Sequence, residues 1–104
     1  AGIESQEYID CAANIARYHH EKWNGNGYPE GISGLDIPLE ARVMAIADVF
    51  DALVSKRCYK EAYPLSEAFD EIKNGAGQHF DPKLVDAFLL SKSTIEEMIV
   101  NNFD

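Results

Sequence analysis

Apolar residues recur every three or four positions along most of the chain, a spacing that predicts helices. In the first segment Tyr8, Ala12, Ile15 and His19 follow at intervals of 4, 3 and 4, and Ile9, Ala13, Ala16 and His20 repeat the pattern one position on. Together they form one broad apolar stripe with two adjacent histidines at its C-terminal end. Gly25 and Gly27 are expected to end this helix and open a loop. Pro38 suits the first turn of a second helix, with Leu39, Val43, Ile46, Phe50 and Leu53 as its apolar face and an end near Lys56. A third helix should follow Pro64, turn Leu65, Ala68, Phe69 and Ile72 inward, and stop at Gly75 and Gly77. Asp81-Pro82 reads as a cap followed by a first-turn proline, opening a fourth helix through Val85, Phe88 and Leu89. Ser93-Thr94-Ile95-Glu96 has the capping-box spacing and should start a short last helix. No β-hairpin, internal repeat or low-complexity segment interrupts the pattern. The expected fold class is all-α, a helical bundle of about five helices.

Composition narrows the function classes. The 104 residues suffice for one domain with one modest core. Hydrophobic residues make up 46% and charged residues 26%, values ordinary for a globular chain. No apolar run approaches the roughly 18 residues of a membrane span. The net charge of −9, with no cluster of Lys or Arg, argues against a nucleic-acid polymer as partner. It leaves room for a small phosphate substrate, because bound divalent cations reverse the local sign. Cys11 and Cys58 stand far apart and fit the reduced thiols of a cytoplasmic protein better than a disulfide framework. The chain opens on Ala1-Gly2-Ile3 without a methionine and reads as a piece of a longer protein.

The candidate chemistry concentrates in the run His19-His20-Glu21-Lys22-Trp23-Asn24-Gly25-Asn26-Gly27-Tyr28-Pro29. Imidazoles at the end of a rigid element are good metal ligands. Adjacent helical residues point about 100° apart, so His19 and His20 would suit two neighbouring ions, or one ligand and a supporting group. The plainer alternative is one histidine bonded to a carbonyl and one at the surface. Four glycines fall within the ten residues Gly25 to Gly34, a loop long and ornate for a mere helix connection. Asp48 lies within the apolar run Ile46 to Ala52, where an unpaired carboxylate would be costly if buried. Asp51, three residues on, reads as a further acid or as an ion-pair partner for Arg42 or Arg57. Arg57 and Lys60 close the second helix, where its dipole favours cations, or they form a phosphate clamp. His79, in His79-Phe80-Asp81-Pro82, reads as part of a cap with a core anchor rather than as a ligand. Phe50, Phe69 and Phe88 read as core.

Taken together, HHEKWNGNGYPEGISGLDIPLEARVMAIADVFDALVSKRCYK and the later GQHFDP resemble the HD-GYP family of bacterial signalling phosphodiesterases, across roughly residues 12 to 90. The resemblance implies a partial HD-domain-like helical fold and hydrolysis of the second messenger cyclic di-GMP to pGpG or GMP at a centre of two or three metals. It implies divalent ions, iron or alternatively manganese, held by His19, His20 and Asp48. It assigns Arg57 and Lys60 to substrate phosphate. Gly25, Gly27, Tyr28 and Pro29 become the signature loop, with Tyr28 linked to the substrate and the loop to docking of diguanylate cyclase (GGDEF) domains. An upstream sensor or receiver domain is a further implied partner.

The family's His-Asp dyad and another metal histidine lie upstream of the paired histidines, and the only histidines here are His19, His20 and His79. Residues 1–104 therefore read as the C-terminal part of an HD-GYP domain, inactive by itself. Apolar faces within residues 3–55 should then lie uncovered, with a homodimer as one way to cover them. A non-catalytic regulatory or protein-interaction module using the Tyr28 loop is the alternative function.

Overall fold

The first helix, α1 (Gly2–Tyr18), ends before both histidines rather than at the glycines. The reason lies in the hydrogen bonds that follow it. His19 N–H still bonds the Ile15 carbonyl at 3.1 Å, but Glu21 N–H bonds Tyr18 O at 3.0 Å and tightens the chain into a turn. The structure is a computed structural model that describes the backbone of residues 2–59 and 65–103 and the side chains of residues 5–55 and 65–99. A loop with one 3-10 turn (Gly34–Asp36) leads to α2 (Leu39–Tyr59). Pro38 sits immediately before α2, and its carbonyl accepts from the Ala41 and Arg42 amides at 3.0 Å each. The remaining helices are α3 (Leu65–Asn74), α4 (Pro82–Leu90) and α5 (Lys92–Phe103). The all-α expectation of five helices holds for the described residues. Their only β-type pairing is an isolated bridge between Ala76 and Phe80. No described helix is long and apolar enough to cross a membrane.

Two helix starts differ in interest. Asp81 caps α4 as its sequence suggests, its side chain accepting from Lys83 N. The α5 boundary does not follow the capping box. Helix α5 begins at Lys92, so Ser93 lies inside its first turn, and Ile95 N–H bonds the Ser91 carbonyl at 3.0 Å. A single residue, Ser91, separates α4 from α5, and α5 is 12 residues long rather than short.

The core lies where α2 meets α3 and α4. Ala45, Ile46, Phe50, Leu53 and Val54 of α2 pack on Ala68, Phe69 and Ile72 of α3, with Phe80 and Val85 closing the end. Phe50, Phe69 and the partly buried Phe88 form an aromatic trio with ring centroids 4.9 to 5.5 Å apart, in the tilted and edge-on arrangements that such rings prefer. Gly75 directly follows α3, at a position where a side chain would overlap the Phe80 ring, 2.7 Å from a Cβ. Its carbonyl then accepts from the amides of Gln78, His79 and Phe80, folding the α3–α4 turn tightly.

The apolar periodicity overstates what this core covers. Leu39 and Val43, expected on the inner face of α2, are 54% and 49% exposed, and Ala41 and Ala45 take the buried positions. Small residues there let α2 run close to its neighbours while the larger ones face outward. In α1 the half-buried positions are Cys11, Asn14, Ile15 and Tyr18, followed by His19 just beyond its end. Tyr8 and Ile9 are 75% and 60% exposed, so that part of the α1 stripe lies uncovered among the described residues. Cys11 is a free thiol, and the Cys58 side chain lies outside the described residues.

Arg42 and Asp81 form a buried ion pair, Nη1 to Oδ2 at 2.6 Å, where the two side chains are 14% and 5% exposed. Arg42 therefore pairs with Asp81 and not with Asp51. Its Nε also donates to the Ile37 carbonyl at 2.9 Å, while Asp81 Oδ1 accepts from Lys83 N at 2.9 Å. Removing one partner strands a buried charge. Asp81→Ala should cost about 3–5 kcal/mol of stability, and Asp81→Asn about 1 kcal/mol less because it keeps the helix cap. Urea denaturation of both variants beside the wild type measures this, and equal losses would show that the cap contributes nothing.

Candidate functional site

Helix α1 delivers His19 to the side of α2. His19 Nδ1 lies 2.6 Å from the Ile15 carbonyl oxygen. A carbonyl only accepts, so Nδ1 carries the hydrogen, and in the neutral ring Nε2 keeps its lone pair. That lone pair is on the side of Asp48, whose Oδ2 is 3.9 Å from Nε2. The separation is too long for a hydrogen bond. A backbone carbonyl accepting from one nitrogen is the support that metal-ligating histidines receive, and a carboxylate beside the other nitrogen is placed as a fellow ligand would be.

His20 does not splay away at a helical angle, because the helix has already ended. Its ring lies 3.9 Å from the His19 ring, tilted by 42°, and stacks on Tyr28 at 4.9 Å and 17°. The loop that carries Tyr28 is fastened close by. Tyr28 N–H bonds the His20 carbonyl at 3.3 Å, and Glu30 N–H bonds Glu21 Oε2 at 2.7 Å. Gly27 is forced by this approach: a Cβ there would stand 2.5 Å from Lys22 N and 2.7 Å from Glu21 Cα. Gly25, with φ of 86°, takes the left-handed conformation that turns the chain after Lys22. The Tyr28–Pro29 peptide is cis.

Glu21 is the residue that periodicity passes over. It is only 2% exposed, and among the described residues its Oε1 has no hydrogen-bond partner. Its position inside the histidine run was the one available signal, since an acid between two loop anchors carries no apolar pattern.

Asp48 differs from its expected setting. Its side chain is 54% exposed, so the cost of burying a charge does not constrain it. Asp51 is also exposed, and both acids border an open groove of about 630 Å3 between α2, α4 and α5, lined by Phe50, Val54, Phe88, Ile95 and Ile99. Arg57 is in the last turns of α2, but its side chain lies outside the described residues, as does Lys60 altogether. The structure thus brings His19, His20, Asp48 and Tyr28 together. Among the described residues no group of three or more His, Cys, Asp or Glu closes around a metal position. The donor chemistry fits a divalent cation, with a free imidazole nitrogen facing a carboxylate.

His79 behaves as an anchor. Its carbonyl accepts from Trp23 N–H at 3.0 Å, Gln78 O accepts from Asn24 N–H at 2.9 Å, and its ring stacks on Phe80 at 4.3 Å. The α3–α4 turn thereby holds the start of the glycine loop. Burial first, and Lys22 second, push the His79 pKa below its ordinary value.

The sequence profile of the family described as HD domain matches residues 3–84. The chain belongs to the HD-domain family. The HD-GYP resemblance is borne out by relatives with phosphodiesterase names. One from Vibrio cholerae, named a probable cyclic di-GMP phosphodiesterase, is 55% identical over 84 residues, which is 81% of this chain and 19% of the relative. Another from V. cholerae, named 3'3'-cGAMP-specific phosphodiesterase 2, is 50% identical over 81 residues, 78% of this chain and 16% of the relative. The crystal structure of a V. cholerae cyclic GMP-AMP-specific phosphodiesterase (V-cGAP3) superposes with a TM-score of 0.61 at 30% identity, covering 88% of this chain and 26% of that one. The HD-domain chain spans less than a quarter of these curated relatives.

Two outcomes follow for the loop. A depressed histidine pKa means that the unfolded chain binds the proton first, so stability is full at higher pH and falls as pH drops through about 6.5. Between about pH 7.5 and about pH 5.5 the wild type should lose more stability than His79→Gln, and parallel slopes in urea titrations would remove His79 from that balance. Gly27→Ala should displace the loop, because the atoms in its way are backbone. A nuclear Overhauser contact between the His20 and Tyr28 rings should vanish in that variant.

Proposed function

We propose that this HD-domain chain is part of a bacterial signalling phosphodiesterase that hydrolyses cyclic di-GMP with a centre of two or three metals. The carrying observation is the His19 Nε2 lone pair, left free by the Ile15 carbonyl and facing Asp48 at 3.9 Å. His19, His20 and Asp48 would hold divalent metal, iron or manganese. A metal there supplies positive charge to phosphoryl oxygens and an ionisable water at neutral pH. The chain's own residues orient the reaction: Ile15 O fixes the His19 tautomer, and Tyr28 and the loop lie over His20. Arg57 and Lys60 hold substrate phosphate, Arg57 through a planar fork suited to it.

The substrate class is a cyclic dinucleotide. The relative sharing 55% identity is named for cyclic di-GMP, which favours that ligand over the mixed dinucleotide named for the other. We take residues 1–104 as the C-terminal part of the HD-GYP domain, with the remaining metal ligands and an upstream sensor or receiver domain supplied by the longer protein, in the cytoplasm. The exposed stripe at Tyr8 and Ile9 is then covered by the rest of that domain, or in the isolated chain by a second copy. One observation favours a second reading: Tyr28 is 61% exposed, open to a partner such as a diguanylate cyclase domain, so a non-catalytic interaction module is the alternative.

Three outcomes test the reading. The isolated chain, loaded with iron or manganese, should not turn over cyclic di-GMP, and turnover abolished by His20→Ala would refute this. In the longer protein, Asp48→Ala should lose metal and activity together. Arg57→Ala should keep its metal and weaken cyclic di-GMP binding by about tenfold or more, as expected from losing a charged hydrogen bond of about 1.5–3 kcal/mol. Metal analysis and ligand titration on both variants decide the roles. If Arg57→Ala strips the metal, or Asp48→Ala leaves it loaded, the assignment fails. An intact longer protein that holds no metal and binds no cyclic dinucleotide would favour the interaction module.

A further inference from the structure

Glu21 demands an explanation that the hydrolytic reading does not supply. Buried carboxylates are ordinarily paired on both oxygens, because leaving water without full compensation is costly. Glu21 is 2% exposed, accepts from the Glu30 amide on Oε2 at 2.7 Å, and among the described residues leaves Oε1 without a hydrogen bond. The Glu30 amide lies two residues beyond Tyr28, and Glu21 is next to His20. The same two strands of chain meet again where Tyr28 N–H bonds the His20 carbonyl at 3.3 Å, and a third time where the Tyr28 and His20 rings stack at 4.9 Å. Gly27 fills the remaining space against the His20–Lys22 backbone with no room for a side chain.

We propose that Glu21 and Tyr28 are positioning residues for His20: Glu21 fastens the glycine loop, and Tyr28, carried on it, fixes the plane of the His20 imidazole. The torsion that sets a histidine ring's plane is broad and roughly two-fold. An exposed ring such as that of His20 therefore has no plane of its own. Here it contacts two rings, His19 at 3.9 Å and, in a stacked arrangement, Tyr28 at 4.9 Å. The geometry needs an acceptor at Glu21 and an aromatic face at Tyr28. It needs neither the Glu21 charge nor the Tyr28 hydroxyl, whereas a substrate-contacting role for Tyr28 would favour that hydroxyl. The consequence for catalysis rests on the reading of His20 as a metal ligand, but the positioning itself does not.

The test reads the ring rather than the reaction. In proton spectra of the full chain without added metal, at a fixed pH where the imidazole is neutral, the His20 ring protons should be displaced upfield by Tyr28. Tyr28→Phe and Glu21→Gln should keep that displacement, since each preserves the contact. Tyr28→Ala and Glu21→Ala should lose it while circular dichroism shows the helices intact. A folded Glu21→Ala chain with unchanged His20 resonances would overturn the role of Glu21, and unchanged resonances in Tyr28→Ala would overturn the whole proposal. Should Glu21→Ala fail to fold, loss of the displacement in folded Glu21→Gln would itself refute the claim that an acceptor alone suffices. None of these outcomes depends on hydrolysis, so the absence of cyclic dinucleotide turnover would count against the proposed function and leave the positioning result intact.

Discussion

The site depends on a buried ion pair that takes no part in it. Arg42 and Asp81 join four pieces of chain: α2, the Ile37 carbonyl that precedes it, the cap of α4 and, through Asp81's place after the α3–α4 turn, the backbone that holds Trp23 and Asn24. An ion pair in low dielectric is poor evidence for stability, since apolar residues of similar volume often serve as well. Its geometry is a different matter. A guanidinium with a carboxylate on one nitrogen and a carbonyl on another admits few arrangements, so the α2 and α4 starts cannot slide independently. The loop is tied to the second of these, and His19 is packed against the first helix's neighbour. The relative placing of imidazole and Asp48 is thus set from a distance.

Charge within the site follows from backbone placement more than from burial. Ile15 O assigns the hydrogen on His19, and that assignment directs a lone pair toward a carboxylate which is itself half in water. The Asp48 side chain is 54% exposed, so it is not buried. It can therefore face His19 across 3.9 Å without the cost that a buried acid would carry. The apparent conflict between an acid and the apolar run around it disappears, because Ala47 and Asp51 on the same stretch are exposed as well.

Much of this was legible in the sequence, for identifiable reasons. Glycine and proline marked the end of α3 at Gly75, the start of α2 after Pro38 and the cap at Asp81, because each acts through local backbone chemistry. The aromatic trio was legible because Phe50, Phe69 and Phe88 are too large to leave the core without cost. The end of α1 was not. It depends on a turn closed by Glu21, whose burial beneath a loop follows from contacts nine residues away. The orientation of α1 and the exposure of Leu39 and Val43 were equally hidden, since periodicity says that a face exists and not which neighbour covers it. At the site, the run His19 to Pro29 was legible as a unit, whereas the stacking of His20 on Tyr28 was not, because it requires the helix to stop before the histidines rather than after them.

Electrostatics limits what a phosphodiester could do here. The chain carries 18 acidic and 9 basic side chains, and Asp48 and Asp51 are both exposed, Asp48 beside His19. A phosphate approaching that surface meets repulsion unless cations reverse the sign locally. On the reading proposed above, one reversal lies at His19 and Asp48, and the other at Arg57. Nine residues of α2 separate Asp48 from Arg57, about 14 Å along the axis at 1.5 Å per residue. On that reading the metal and the guanidinium would belong to two stations of one helix, an arrangement that would suit a ligand carrying two phosphates, as a cyclic dinucleotide does.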